Sequence, residues 1–440
     1  MERTNSQNSK HNKHQARPIF VWAAVVAIGL AMSFAAKADV PNLYRWDTPL
    51  YEWGRQIGTS QEDRGSAMAL DSTGNIYMAG VTDTYSKVHR SFLMAKYDTS
   101  GSLLWSINSD AVAYSSCFSM ALDASGNIFT AGATSGWFDG KRGACLTKFD
   151  NSGAVLWTRA MNTSTSGGSY SVSLDAAGNA YIGGYLSDTA SLAKFNGSGD
   201  LLWSKSLPYS FYRINAVAAD STGNLYASGW YWDHQSDRSE ALLAKFDPLG
   251  NPLWTVEMKP SSVVEVPALT VDNAGNVYVA GNTYLDLCGV NAGGVDAFLM
   301  KYDASGKRIW GQQIGSARDD TPSSIAVDAN GNIYLTGSTT GVINTYNAGY
   351  NDAFLVKFDA SGNPLQSWQI GTTGYDMPGA VAVDAAGNTY IGGYTSGSLG
   401  DPSAGGADLF LIKNVSAPEP ATLSLLVLGS LAALRRRRAA

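Results

Sequence analysis

Residues 268–315 read ALTVDNAGNVYVAGNTYLDLCGVNAGGVDAFLMKYDASGKRIWGQQIG. Four short runs rich in β-branched and aromatic residues stand out: ALTV, NVYVAG, AFLMKY and RIWGQQI. Asp272-Asn273-Ala274-Gly275-Asn276 separates the first two, and Asp303-Ala304-Ser305-Gly306 separates the last two. Both are tight hairpin signals, in which Asp accepts from nearby backbone N–H groups and Gly takes the left-handed conformation. The stretch between Asn282 and Asp296 is longer and reads as a loop. Four antiparallel strands in so short a stretch make a unit the size of one propeller blade.

The D-x-x-G-N turn recurs seven times, beginning at Asp71, Asp123, Asp175, Asp220, Asp272, Asp328 and Asp384. An aromatic follows each, from Tyr77 to Tyr390. The second turn recurs as K-[FY]-[DN]-x-x-G from Lys96 to Lys357, with a Trp four residues past its Gly at Trp105, Trp157, Trp203, Trp254 and Trp310. In the sixth unit the Trp is Trp368, six residues past Gly362, which reads as a local insertion or bulge. The seventh unit stops at Asn414 without a fourth strand, and a matching strand stands at the other end of the repeats, Trp53-Gly54-Arg55-Gln56-Ile57-Gly58. That complementarity is how a ring of blades closes without an exposed sheet edge. The expected fold is all-β, a seven-bladed β-propeller of four-stranded antiparallel blades over residues 51–415, closed by the N-terminal strand.

The sequence D-x-x-G-N-x-Y-x-x-G-x-T, followed by G-G-x-D-A-F-L-x-K-[FY]-D-x-x-G and a Trp strand, resembles the SBBP-type β-propeller repeat of bacterial surface proteins. The resemblance runs from Tyr51 to Asn414 and implies the fold; a fold alone does not give an activity.

Both ends carry export grammar. Residues 1–38 hold a basic start, the apolar run Ile19–Ala35 and Ala36-Lys37-Ala38, which reads as a cleaved secretory signal, with 39–50 as a linker. Residues 416–440 contain Pro418-Glu419-Pro420, an apolar run and Arg435–Arg438. This closely resembles the PEP-CTERM sorting signal of Gram-negative bacteria. The resemblance implies processing by an exosortase-type membrane protease, transient association with the inner membrane, and a place at the cell surface or in an exopolysaccharide matrix.

The whole chain has a formal charge of −6, but without its basic ends it holds 22 bases against 35 acids. Such a body lacks the basic footprint that nucleic acid requires. Three cysteines, Cys117, Cys145 and Cys288, are too few and too scattered for a disulfide framework or a zinc site, and are expected as free thiols.

Candidate chemistry lies on the side of the ring opposite the Asp turns. Asp296, Asp352 and Asp408 precede third strands, and Asp63, Asp320 and Asp376 lie eight residues before the turn Asp. One reading is a Ca²⁺-binding arc, since oxygen ligands suit hard cations. The other is that each Asp caps its own loop, which its recurrence favours. No further cofactor is expected. On the same side stand the aromatics that break the repeat: Trp137-Phe138, and Trp230-Tyr231-Trp232 followed by Asp233 and His234. These suit stacking on sugar rings; the alternative is that the loops fold over the ring. No catalytic residue is assigned: after the leader only His89 and His234 remain, which argues against a His metal cluster and a Ser-His-Asp triad. The expected function is a non-enzymatic binding or scaffold protein for matrix polysaccharide or a surface partner. The alternative is a propeller hydrolase or lyase using carboxylates on that side.

Overall fold

The computed structural model describes residues 51–83, 90–109, 114–135, 142–162, 167–186, 189–207, 213–233, 237–258, 263–344 and 346–414. The quoted stretch lies within one four-stranded antiparallel sheet, with strands Val263–Val271, Val277–Thr283, Asp296–Tyr302 and Arg308–Ile314 in sequential order. Seven such sheets account for the 28 strands among the described residues. We number them as blades 1 to 7 and call their strands first to fourth. The first strands neighbour one another round an axis, and that of blade 7, Asp376–Val383, returns to that of blade 1, Asp63–Leu70. Middle strands are buried along their whole length, as in VYVAGNT and DAFLMKY, because a neighbouring blade covers each face.

Each D-x-x-G-N turn is locked by its own Asp. Asp272 Oδ1 accepts from the N–H groups of Ala274 (3.0 Å) and Asn276 (2.8 Å), while Oδ2 accepts from Asn276 Nδ2 (2.8 Å) and the Tyr278 hydroxyl (3.1 Å). The repeated Lys belongs to the same knot. Lys148 lies 3.4 Å from Asp123 and Lys194 3.4 Å from Asp175, each over the ring that follows the turn, at 4.8 and 4.6 Å. These residues are scaffold, as their recurrence indicates.

The Trp series couples blade to blade. Trp254 donates through Nε1 to the Ala304 carbonyl of the next blade (3.2 Å), and Trp310 does the same to Ala360 (3.3 Å). The turn Gly two residues later packs on the indole. At Gly306, with φ of 86°, an added Cβ would meet Trp254 at 3.1 Å, so bulk and handedness both demand glycine.

The ring closes through the N-terminal strand, Trp53–Ile57, which pairs antiparallel with Asp408–Asn414 from Trp53↔Lys413 to Ile57↔Leu409. Trp53 repeats the coupling by packing under Gly101 of blade 1, and Arg55 Nε donates to the Gly101 carbonyl at 2.7 Å.

The sixth unit departs from expectation. Its fourth strand, Pro364–Ile370, has the same register and the same bulge as its counterparts, with Gln366 opposite Lys357 where Trp310 stands opposite Lys301. No insertion is present: Gln replaces the Trp, and Trp368 lies two residues farther along the same face. The physical reason lies in the next blade. Blade 7 takes its fourth strand from the chain's other end, so it has no third-to-fourth turn for a Trp at 366 to pack beneath.

Candidate functional site

In a sequential meander the Asp turns lie at one end of the ring, and the second-to-third loops and blade connections lie at the other. The six loop-side acids form three equivalent junctions at the blade boundaries 5/6, 6/7 and 7/1. Asp320 N–H donates to the Val295 carbonyl beside Asp296 (2.6 Å), Asp376 N–H to Asn351 beside Asp352 (2.8 Å), and Asp63 N–H to Ala407 beside Asp408 (2.6 Å). All six are buried, with exposures of 0 or 1 %. The backbone N–H of Thr59 reaches Asp63 (2.6 Å), Ser316 reaches Asp320 (2.5 Å) and Thr372 reaches Asp376 (2.6 Å). Thr82 also donates its hydroxyl to Asp63. Ala292, Ala348 and Ala404 cap Asp296, Asp352 and Asp408 in the same way, at 2.8 to 2.9 Å.

A glutamine completes each junction. Gln313 Nε2 donates to Asp296 (3.1 Å) and the Leu285 carbonyl (3.1 Å), while its Oε1 accepts from Leu287 N–H (3.0 Å). Gln369 and Gln56 repeat this with Asp352 (3.0 Å) and Asp408 (2.8 Å). These glutamines were missed as site residues, although the recurring Q-I-G triplet at 56–58, 313–315 and 369–371 was the signal. Its glycine leaves room for the acid: a Cβ on Gly315 would lie 2.0 Å from Asp296 Oδ1.

No base neutralises these acids: among the described residues no ion pair reaches them. Burial raises the carboxyls of Asp63, Asp296 and Asp376, and pushes Asp320 up to about 6 against the hydrogen bonds from Ser316. The facing acid of the same junction adds to the rise at Asp63, Asp320 and Asp376.

The acids therefore do not form one arc open to solvent: Oδ2 of each is held by its own loop, while Oδ1 of Asp296, Asp320, Asp352 and Asp408 is buried without a hydrogen-bond partner. Among the described residues, no three or more His, Cys, Asp or Glu side chains gather as a metal-holding group. Adding EDTA to the purified protein is expected to leave its melting temperature unchanged within about 1 °C, since loop caps need no cation. A fall of several degrees, reversed by Ca²⁺, would restore the cation reading.

The aromatics separate. Trp137 and Phe138 lie outside the described residues, as does His234. Trp230-Tyr231-Trp232-Asp233 does not form a loop folded over the ring. It is the end of the second strand of blade 4, Leu225–Asp233, paired through Asp233↔Arg238 with Arg238–Phe246. Three consecutive aromatics favour an extended strand, which here outlasts its blade 5 counterpart by two residues. Strand alternation then divides them. Tyr231 packs into the core between blades 3 and 4, Trp230 and Asp233 are half-buried, and Trp232 is 44 % exposed. A further exposed pair escaped the sequence reading. The rings of Tyr350 and Tyr375, 65 and 49 % exposed, stack 4.9 Å apart with planes 11° from parallel. Tyr350 stands where the other units have Gly294 and Gly406, and Tyr375 where they have Glu62 and Asp319, but only the fold brings the two loops together.

Parts of the chain are similar to known proteins. An uncharacterized WD repeat-containing protein of Acanthamoeba polyphaga mimivirus is 27% identical over 186 residues, which are 33% of this chain and 13% of that protein. The regulatory protein FlaEY of Caulobacter vibrioides is 27% identical over 129 residues, 26% of this chain and 14% of its own length. The match thus spans about one seventh of each curated relative. A crystal structure of a protein from Lactobacillus plantarum aligns over 69% of this chain and 84% of its own, at 17% identity and a TM-score of 0.47. The SBBP family, a beta-propeller repeat, matches residues 52–85 and 309–344. Each matched segment takes in most or all of a fourth strand and the first two strands of the next blade, so it contains the Q-I-G junction. In those two segments the chain is similar to the beta-propeller repeat of the SBBP family.

Proposed function

We propose that this propeller is an exported binding or scaffold protein, without catalytic activity, that engages exopolysaccharide through the loop side of its ring. The observation that carries the reading is where exposed aromatic surface departs from the repeat. Trp232 stands at the tip of an extended strand pair, and Tyr350 and Tyr375 form a stacked pair, all on that side. Flat, exposed rings beside amides and hydroxyls suit the C–H faces of sugars. The loop-side acids that a hydrolase or lyase would use are buried within the blade junctions, which favours binding over turnover.

Export rests on the sequence alone, since residues 1–38 and 416–440 lie outside the described residues. The leader ending at Ala38 directs the chain across the inner membrane of a Gram-negative cell. The Pro418-Glu419-Pro420 tail directs processing by an exosortase-type protease and a place at the surface or in the matrix.

The exported chain is expected to be retarded in gels containing polysaccharide, and Trp232→Ala to reduce that retardation severalfold. Equal mobility of the two proteins across neutral and acidic polysaccharides would refute the reading, and release of reducing sugar or unsaturated products would overturn its non-enzymatic part. Mass spectrometry of the exported protein reads the tail directly: a terminus near residue 418 is expected.

A further inference from the structure

Every first strand carries a β-bulge, and one bulged residue in each stands five residues before the turn Asp. In blades 2, 3 and 4 these residues are Phe118, Tyr170 and Asn215. Elsewhere the position holds Ser66, Pro267, Ser323 or Gly379. A bulge takes its residue out of the ladder and re-aims the side chain. Because first strands ring the axis, one arc of that ring bears large rings and an amide where the rest bears small groups.

The large residues form a continuous surface. The Phe118 and Tyr170 rings lie 5.2 Å apart, tilted by 53°. The Arg213 guanidinium, two residues before Asn215, lies 3.9 Å from the Tyr170 centroid. Arg213 is also in register with Trp230, so this surface is continuous with the strand that ends in Trp232. Phe118 is 36 % exposed although it stands on an innermost strand. On the same arc, Arg213 Nε and Asn215 Oδ1 are both buried without a hydrogen-bond partner. Among the described residues no carboxylate pairs with Arg213.

Buried polar atoms are almost always satisfied, so an orphaned donor and an orphaned acceptor two residues apart on one strand call for a partner. A stacked guanidinium with an unpaired charge favours a carboxylate, an amide oxygen accepts from a hydroxyl, and an exposed phenyl ring covers an aliphatic ring face. We infer that the inner ring of blades 2 to 4 binds a carboxylate-bearing sugar, a uronic acid unit. Arg213 takes the carboxylate, Asn215 accepts from a hydroxyl, and Phe118 lies against the C–H face. The inference rests on the saccharide reading above and adds to it a chemical class and a place.

The test is calorimetric titration of the exported chain with trigalacturonate and with its methyl ester, which keeps the ring and removes the charge. Two variants use residues that the protein itself places at the equivalent positions of blade 6, Thr321 and Ser323, and so preserve the fold. The acid is expected to bind at least tenfold more tightly than the ester. Arg213→Thr should erase that preference, and Phe118→Ser should weaken both ligands about tenfold, or about 1.4 kcal/mol. If acid and ester bind alike, or Arg213→Thr keeps the preference, the inner-ring assignment is overturned while saccharide binding stands. If no member of a wider panel of neutral and acidic polysaccharides binds, the saccharide reading fails and the inference with it.

Discussion

A chain lacking Trp53–Ile57 should fail to accumulate as a folded monomer. That strand is the fourth strand of blade 7, and its removal bares the whole edge of Asp408–Asn414. An unpaired, apolar strand edge is a template for pairing with another chain. The loss goes beyond the ladder. Trp53 packs under Gly101 and lies 6.2 Å from the Tyr390 ring, while Arg55 bonds the Gly101 carbonyl, so the coupling of blade 7 to blade 1 goes too. Truncating a large aromatic in a core costs about 3–5 kcal/mol, and a half-buried one such as Trp53 costs less. With the five paired residues added, the deficit approaches the total of about 5–15 kcal/mol typical of a folded domain. Size-exclusion chromatography should show oligomers or aggregate, and a synthetic peptide of residues 51–58 added during refolding should restore monomer. Trp53→Ala alone should fold but melt several degrees lower, because Trp53 is only half-buried. A truncated chain that stays monomeric with an unaltered melting temperature would show that the ring does not depend on this closure.

That closure was legible because it rests on local chemistry repeated in order. Asp272, Gly275 and Tyr278 fix a hairpin through contacts within six residues, and counting such hairpins leaves Trp53's strand as the missing member. What stayed hidden depends on contacts across blades. Alternation along a first strand does not reveal that Phe118 or Tyr170 sits at a bulge. The spacing of Asp296 and Asp320 does not show that they meet at one junction, with Gln313 between strand and loop. In sequence, Trp230-Tyr231-Trp232 makes a single cluster, which suits a loop. As a strand, its alternate residues face opposite sides, and only Trp232 is left well exposed. Gln366 shows the converse: a departure from the repeat that reads as an insertion turns out to follow from a turn missing in the next blade.

The two sets of acids predict an unusual pH profile. At the turns, burial opposes ionisation, but hydrogen bonds from Thr73 and Asn75 outweigh it and hold Asp71 down to about 2. Asp123, Asp175, Asp220 and Asp272 are lowered in the same way. Groups lowered in the folded state contribute stability above their unfolded value of 3.8, which is lost as pH falls toward 2. At the blade junctions the sign reverses. Asp63, Asp296, Asp320 and Asp376 are raised by burial, so they favour the folded state below 3.8 and cease to as pH rises through their folded values. For Asp320 that window runs from 3.8 to about 6. Since each tenfold change in proton affinity corresponds to about 1.4 kcal/mol, Asp320 alone accounts for a decline on the order of 3 kcal/mol between about pH 4 and pH 7. Stability should therefore peak near pH 4 and decline on both sides, where paired carboxylates alone would give a rise toward neutrality. Asp320→Asn keeps the acceptor for Ser316 and removes the charge. It should raise the melting temperature at pH 7 by several degrees and leave it unchanged at pH 4. Asp71→Asn should do the opposite at pH 7, because Nδ2 cannot accept from Asn75 and Tyr77 as Oδ2 does. Thermal melts of the three proteins from pH 3 to 8 test both signs at once. An Asp320→Asn variant that is less stable than its parent at pH 7 would mean that the ionised carboxylate holds the junction together. A cation bound there would then be the first explanation to test.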